Sequence, residues 1–182
     1  SYIERYSPVT IQFHPDKKLP GGGTCIDSFL EDPHYKNQFQ TKVSSGSLGP
    51  KAGSSRDGWE KKCFQGAYHE HELIPDERPK YGGLSALNSP AGNGGNWYGK
   101  CFFELRQDVK FRTTFTPRNS CGCTAEDVTT VDSVVVMLEQ VGKNDSNYLK
   151  KMFEVAKGER YAVAQTYSRH YVETQIHGDI DL

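Results

Sequence analysis

The sequence predicts an α+β fold, a β-rich core that carries a helical insertion. Three observations predict it: strand-like alternation near both ends, a middle third dominated by Gly, Pro and Asn, and apolar residues at helical spacing after residue 123. At 182 residues the chain can bury a hydrophobic core as one domain, or as a compact core with a sizeable insertion, without disulfides or metals.

Val9-Thr-Ile-Gln-Phe13 alternates apolar and polar residues, as a half-buried strand does, and His14-Pro-Asp16 ends it. After the turn Leu19-Pro-Gly-Gly-Gly23, Thr24 caps a short helix to about Leu30. Asn37 to Val43 reads as extended, Ser44 to Gly58 as a Gly/Ser-rich loop, and Trp59 to Phe64 as a short helix. Leu84 to Asn96 is an unpatterned surface stretch, and Trp97 to Leu105 resumes as an aromatic strand. Arg112-Thr-Thr-Phe-Thr116 is a further β-branched segment.

Thr124 and Asp127 offer capping chemistry for a helix in which Val128, Val131, Val135, Leu138 and Val141 recur, closed by Gly142. A second helix from Ser146 to Lys157 places Leu149, Met152, Phe153 and Ala156 on one face, and Gly158 stops it. Extended structure returns at Tyr161 to Gln165 and Tyr171 to Ile176. The domain expectation is a core of residues 1–118 and 160–182, with 119–159 as a helical insertion that recognises a target. This order excludes a repeat protein, a coiled coil and a regular βαβ enzyme.

Lys and Arg number 22 against 23 Asp and Glu, so no electrostatic footprint points to nucleic acid or an anionic membrane. A protein or small-molecule partner is expected, and a monomer. Five scattered cysteines read as mostly free thiols. No apolar run approaches the roughly 20 residues of a membrane helix. The chain opens at Ser1 without a signal sequence, and is expected to be trimmed of any targeting segment.

Glu173 and Gln175 lie two apart in a strand pattern, so a carboxylate and an amide share one face while Val172, Thr174 and Ile176 share the other. The alternative is a solvated polar face on an edge strand. Glu77-Arg-Pro-Lys-Tyr-Gly-Gly83 combines a guanidinium, a ring and two glycines, as a backbone brought close to a flat anionic ligand requires: Arg78 clamps a phosphate and Tyr81 stacks on a ring. A Pro-initiated surface turn is the alternative. His14 offers an imidazole to a ribose hydroxyl, against a purely structural role. Asp16, Arg56 and Asp57 lie in loops, where charged residues are usually just solvated.

His69-Glu-His71 and Cys121-Gly-Cys123 supply four possible zinc ligands, but neither spacing suits a zinc site and none is expected. P-loop, dinucleotide Gly-x-Gly-x-x-Gly and Gly-x-Ser-x-Gly motifs do not occur, which argues against P-loop enzymes, Rossmann oxidoreductases and α/β-hydrolases.

Phe13-His-Pro-Asp16, Gln38-Phe-Gln-Thr41, Ser55-Arg-Asp-Gly-Trp-Glu60, Gly66-Ala-Tyr68, Arg78-Pro-Lys-Tyr-Gly82, Arg112-Thr-Thr-Phe-Thr116 and Tyr171-Val-Glu-Thr-Gln-Ile-His-Gly178 together resemble a bacterial family of CteC-like effector mono-ADP-ribosyltransferases. The resemblance runs in order from about residue 11 to 178, and the helical hairpin is its least family-like part. It implies the split β-sandwich core of the polymerase-like ADP-ribosyltransferases, with NAD⁺ as co-substrate. The acceptor it implies is a threonine hydroxyl of host ubiquitin, modified after secretion into the host cytoplasm so that ubiquitination is blocked.

Within that superfamily His14, Tyr81 and Glu173 resemble the His-Tyr-Glu class, whereas Arg78, Thr114-Phe-Thr116 and Glu173 resemble the Arg-Ser-Glu class; both stay open. The last motif usually ends in a carboxylate where Gln175 stands, so the catalytic role passes to Glu173. Asn119 stands where relatives often carry Asp.

On this reading Glu173 faces the ribose hydroxyls and the charge that develops as the nicotinamide bond breaks. Asp16 or Asp57 orients the acceptor hydroxyl. Arg78 anchors phosphate or ribose, Tyr81 and His14 shape the nicotinamide pocket, and Thr41, Arg56, Gly82, Thr114 and Gln175 complete the donor site. The segment from Cys121 to Glu159 and the loop Leu84 to Asn96 are expected to contact ubiquitin. Two rival readings are a catalytically silent ubiquitin-binding module and an NAD⁺ glycohydrolase.

Overall fold

Alternation along the strands divides the sheet into an apolar and a polar face, and that division places the site. The computed structural model describes residues 1–44, 49–69, 75–93, 98–158 and 170–182. Among them β1 (Val9–Phe13), β2 (Lys80–Leu84), β3 (Cys101–Glu104), β4 (Thr113–Thr116), β5 (Thr129–Thr130) and β6 (Glu173–Ile176) form one six-stranded sheet in the order β3-β1-β2-β6-β4-β5. Every pairing is antiparallel. The fold is α+β.

The last strand in sequence, β6, lies between β2 and β4 and is buried throughout, so the edge-strand reading of this segment is corrected. Its register sets Glu173 opposite Gly83 and Thr116, and Gln175 opposite Tyr81 and Thr114. On the other face Val9, Ile11, Leu84, Phe115, Val172 and Ile176 are at most 1% exposed. Burying each such side chain contributes about 1.5–3 kcal/mol.

An apolar sheet face needs a covering layer, and helices α5 (Val134–Asn144) and α6 (Ser146–Ala156) supply part of it. Their Met137, Val141, Tyr148 and Met152 belong to the same buried cluster as the strand residues. The hairpin therefore completes the core, a correction to the expectation that the β core is finished without it. Gly142 lies inside α5 rather than after it, and a Cβ there would stand 2.8 Å from Leu149 Cδ2.

β1 and the Thr24-capped helix α2 (Cys25–Glu31) form as the sequence predicts. The opening helix α1 (Tyr2–Tyr6), capped by Ser1, is not anticipated. Where extended chain is expected after Asn37, the Asn37 side chain accepts from the Phe39 and Gln40 amides and starts the short helix α3 (Gln38–Thr41). Likewise Ser54 caps α4 (Ser55–Cys63), which begins inside the expected loop. The Thr124–Asp127 capping box closes only one turn, since Thr129 and Thr130 pair with β4 before α5 begins. Val135 and Phe153, expected on buried helix faces, are exposed. The expected strand Tyr161 to Gln165, along with Gly94 to Trp97, Glu159 and His71, lies outside the described residues.

Candidate functional site

Glu173 and Gln175 line the polar face of β6, and Tyr171, two residues before Glu173, continues the same spacing. Glu173 Oε1 accepts from the Ser120 amide (3.1 Å) and from Gln175 Nε2 (3.4 Å), and Oε2 accepts from the Tyr171 hydroxyl (2.9 Å). Burial pushes the Glu173 carboxyl up from its ordinary pKa, against the donors at Ser120, Tyr171 and Gln175. The result is a desolvated acid whose oxygens are held in one orientation.

A second layer of bonds holds those donors. Thr114 Oγ1 donates to Gln175 Oε1 (3.1 Å), and Gln175 Nε2 also donates to Thr116 Oγ1 (3.1 Å). The Tyr98 and Tyr171 hydroxyls are 3.0 Å apart, and Asn119 Nδ2 donates to both, at 3.0 and 3.4 Å.

Glu173 opens onto a cavity of about 360 Å³ whose walls also include His14, Thr41, Arg56, Tyr81 and Gly82. This volume lies at the small end of the roughly 300–1,000 Å³ typical of ligand pockets. Six of the expected site residues therefore share one cavity. Among the described residues that line it, Glu173 is the single carboxylate, whereas Lys17, Lys36 and Arg56 are cationic. Lys36 pairs with Asp32 (2.7 Å), Lys17 Nζ donates to the Ser44 carbonyl (2.9 Å), and Arg56 Nη1 donates to Gln38 Oε1 (3.0 Å). Trp59, one helical turn from Arg56, lines the same cavity as Tyr81 and adds to its aromatic wall.

The remaining expected site residues, Asp16, Asp57, Arg78, Thr114 and Gln175, stand off the cavity wall. Arg78 is 1% exposed, and its guanidinium is bound inside the protein by Glu60 (2.8 Å) and Asp57 and lies over the Phe39 ring at 3.8 Å. With its donors engaged by two buried carboxylates, it does not reach the cavity, and Arg56 takes its place as the arginine there. Asp57 is held by Arg78, by His69 Nε2 (2.9 Å) and by the Gly53 amide (2.8 Å), so it has no orientation toward an acceptor. Burial raises the Asp57 carboxyl, but the Gly53 amide, Arg78 and His69 outweigh it and hold it below the ordinary range. Asp16 is exposed in the turn after β1, off the cavity wall. Thr114 and Gln175 stand behind Glu173 rather than on the wall, and act on it through hydrogen bonds.

The glycines of β2 also have a different purpose from the one expected. A Cβ on Gly82 would lie 2.4 Å from the Thr10 carbonyl oxygen, and one on Gly83 would lie 2.2 Å from Asn93 Nδ2. Both admit the protein's own groups, the backbone of β1 and a side chain at the cavity wall.

Sequence reasoning missed Glu60, Tyr98 and Tyr171. Tyr171 carried a legible signal, standing two residues before Glu173 in the same strand pattern. Glu60 carried one too: at i and i+3, Asp57 and Glu60 share a helix face, but α4 was expected to begin only at Trp59. Glu60 Oε1 accepts from the Tyr81 hydroxyl (2.8 Å), and burial pushes its carboxyl up to about 7 against the pull of Tyr81 and Arg78.

A search of curated proteins finds no significant match. One family model, described as a protein of unknown function (DUF3626), matches residues 8–182, a span that holds the whole sheet and every residue of the cavity wall. The chain belongs to that family.

Proposed function

We propose that this protein is a mono-ADP-ribosyltransferase that moves ADP-ribose from NAD⁺ to a threonine hydroxyl of host ubiquitin. The observation that carries the reading is Glu173, a buried carboxylate held by three donors on the wall of a cavity whose other charged groups, among the described residues, are cationic. A dinucleotide presents complementary chemistry: ribose hydroxyls for the acid, a diphosphate for Arg56 and Lys17, and a flat ring for Tyr81 and Trp59.

The strand order favours the ADP-ribosyltransferase fold, because β1, β2 and β6 are consecutive neighbours and bring His14, Tyr81 and Glu173 to one cavity. It favours the His-Tyr-Glu style of donor binding over the Arg-Ser-Glu style, since Arg78 is consumed by Asp57 and Glu60 and Thr114 stands off the wall.

In this mechanism Glu173 holds the ribose hydroxyls and opposes the positive charge that grows on the sugar as its bond to nicotinamide breaks. The bonding pair leaves with nicotinamide, the threonine oxygen bonds to the sugar carbon, and its proton passes to the oriented Glu173. Asp16 and Asp57 have no part in that step. Ubiquitin as acceptor, delivery into a host cytoplasm and a monomeric enzyme rest on the family resemblance of the motifs.

Incubation with NAD⁺ and ubiquitin is expected to add one ADP-ribose to ubiquitin by intact mass, and Glu173→Ala to abolish the gain. Ubiquitin that stays unmodified with the wild type overturns the reading. Because the described wall carries a single carboxylate, NAD⁺ hydrolysis is the second reading. Nicotinamide release that ubiquitin neither accelerates nor captures would establish it instead.

A further inference from the structure

α4 presents two working faces to the site. Arg56 and Trp59 line the cavity, while Asp57 and Glu60 point into a buried ionic cluster around Arg78. Glu60 belongs to both, because one oxygen accepts from Arg78 Nη1 (2.8 Å) and the other from the hydroxyl of Tyr81, which is itself on the cavity wall. The Tyr81 ring is thus tethered by an acid that stands off the cavity wall.

We propose that Glu60 is a positioning residue: its carboxylate, steadied by Arg78, fixes the Tyr81 ring as the stacking wall of the cavity, and protonation of Glu60 loosens that wall. The proposal deepens the donor-binding reading above, on which it rests for the identity of the ring that stacks. A bond accepted by an ionised carboxylate is roughly twice as strong as a neutral one, so the tether tightens when Glu60 loses its proton. The groups facing Glu60 are Arg78 ahead of β2, Asp57 and Cys63 on its own helix, Tyr81 on β2 and Tyr68 in the turn after α4; Glu173 on β6 acts on Tyr81 and Cys63. Beyond Asp57 stands His69. With its carboxyl pushed up to about 7, Glu60 changes charge near neutrality.

The test reads Tyr81 directly. In protein labelled with ¹³C at the tyrosine ring carbon bearing the hydroxyl, the Tyr81 signal, assigned by its loss in Tyr81→Phe, is expected to shift with a midpoint near pH 7. That step is expected to vanish in Glu60→Gln, whose amide still accepts from the phenol. NAD⁺ affinity is expected to rise across the same interval in wild type and to stay flat in Glu60→Gln and Tyr81→Phe, with Glu60→Gln about fivefold weaker at pH 8. A wild-type Tyr81 signal without a step, or an unchanged step in Glu60→Gln, overturns the proposal, and the wild-type titration decides even if the variant fails to fold. An NAD⁺ profile that is identical in wild type and Tyr81→Phe also overturns it. Wild type that binds no NAD⁺ sinks the donor reading instead, while the Tyr81 signal still reports on the tether.

Discussion

The two faces of β6 are built by opposite means. Val172 and Ile176 look into the apolar cluster, where stability comes from area removed from water and the neighbours are interchangeable in kind. Tyr171, Glu173 and Gln175 are as deeply buried, yet each is held by named hydrogen bonds. An apolar face tolerates repacking; a buried polar face works only if every group finds its partner. The site sits on the face where burial is costly, and the ionic cluster of Arg78, Asp57 and Glu60 extends the same logic beneath α4.

The sharpest contrast comes from removing one residue of the apolar face and one of the ionic cluster. Phe115→Ala, in the apolar face, is expected to cost about 3–5 kcal/mol in urea unfolding. Arg78→Ala is expected to cost a similar amount, about 3–5 kcal/mol, since it leaves two buried carboxylates without their cation. The two losses differ in kind: the first is the same at pH 5 and pH 8, and the second grows as Glu60 ionises. Equal pH dependence for both variants would remove the distinction drawn here.

A smaller effect isolates Glu60. Its carboxyl is raised from 4.5 to about 7 in the folded protein, so its contribution to stability is complete below 4.5 and lost as pH rises through about 7. Between pH 5 and pH 8 wild type should therefore lose stability relative to Glu60→Gln, by an amount on the order of 3 kcal/mol. Parallel pH profiles for the two proteins would show that the charge of Glu60 is not the titrating element. Smallest in stability is Glu173→Gln, expected to change unfolding by less than about 1 kcal/mol because the amide keeps the shape and most partners. Under the proposed transfer reaction its rate is expected to fall about 10²–10³-fold, which would separate a residue kept for chemistry from one kept for folding.

What was legible in the sequence was the local periodicity. β1 and the shared face of Glu173 and Gln175 follow from alternation alone, because a strand's two-residue repeat is written in the chain. The starts of α3 and α4 were misread because Asn37 and Ser54 act through side-chain bonds to backbone amides, which hydrophobic spacing does not register. The fate of Arg78 was illegible for another reason. Its partners Asp57 and Glu60 stand 21 and 18 residues earlier, and only the fold decides whether a guanidinium meets them or a ligand. The central position of β6 depends likewise on pairing with β2 and β4, both distant in sequence.

The amide that donates to Glu173 belongs to Ser120, at the start of the segment that leads into α5 and α6. The same short stretch supplies Asn119 to the two tyrosines and takes the Cys63 thiol of α4 on its Cys123 carbonyl (3.5 Å). The hairpin is consequently not a detachable module. A shortened chain made by excising it would lose part of the scaffold of Glu173 along with the core layer, and a graft of a foreign hairpin would have to reproduce the 119–123 stretch to keep that scaffold.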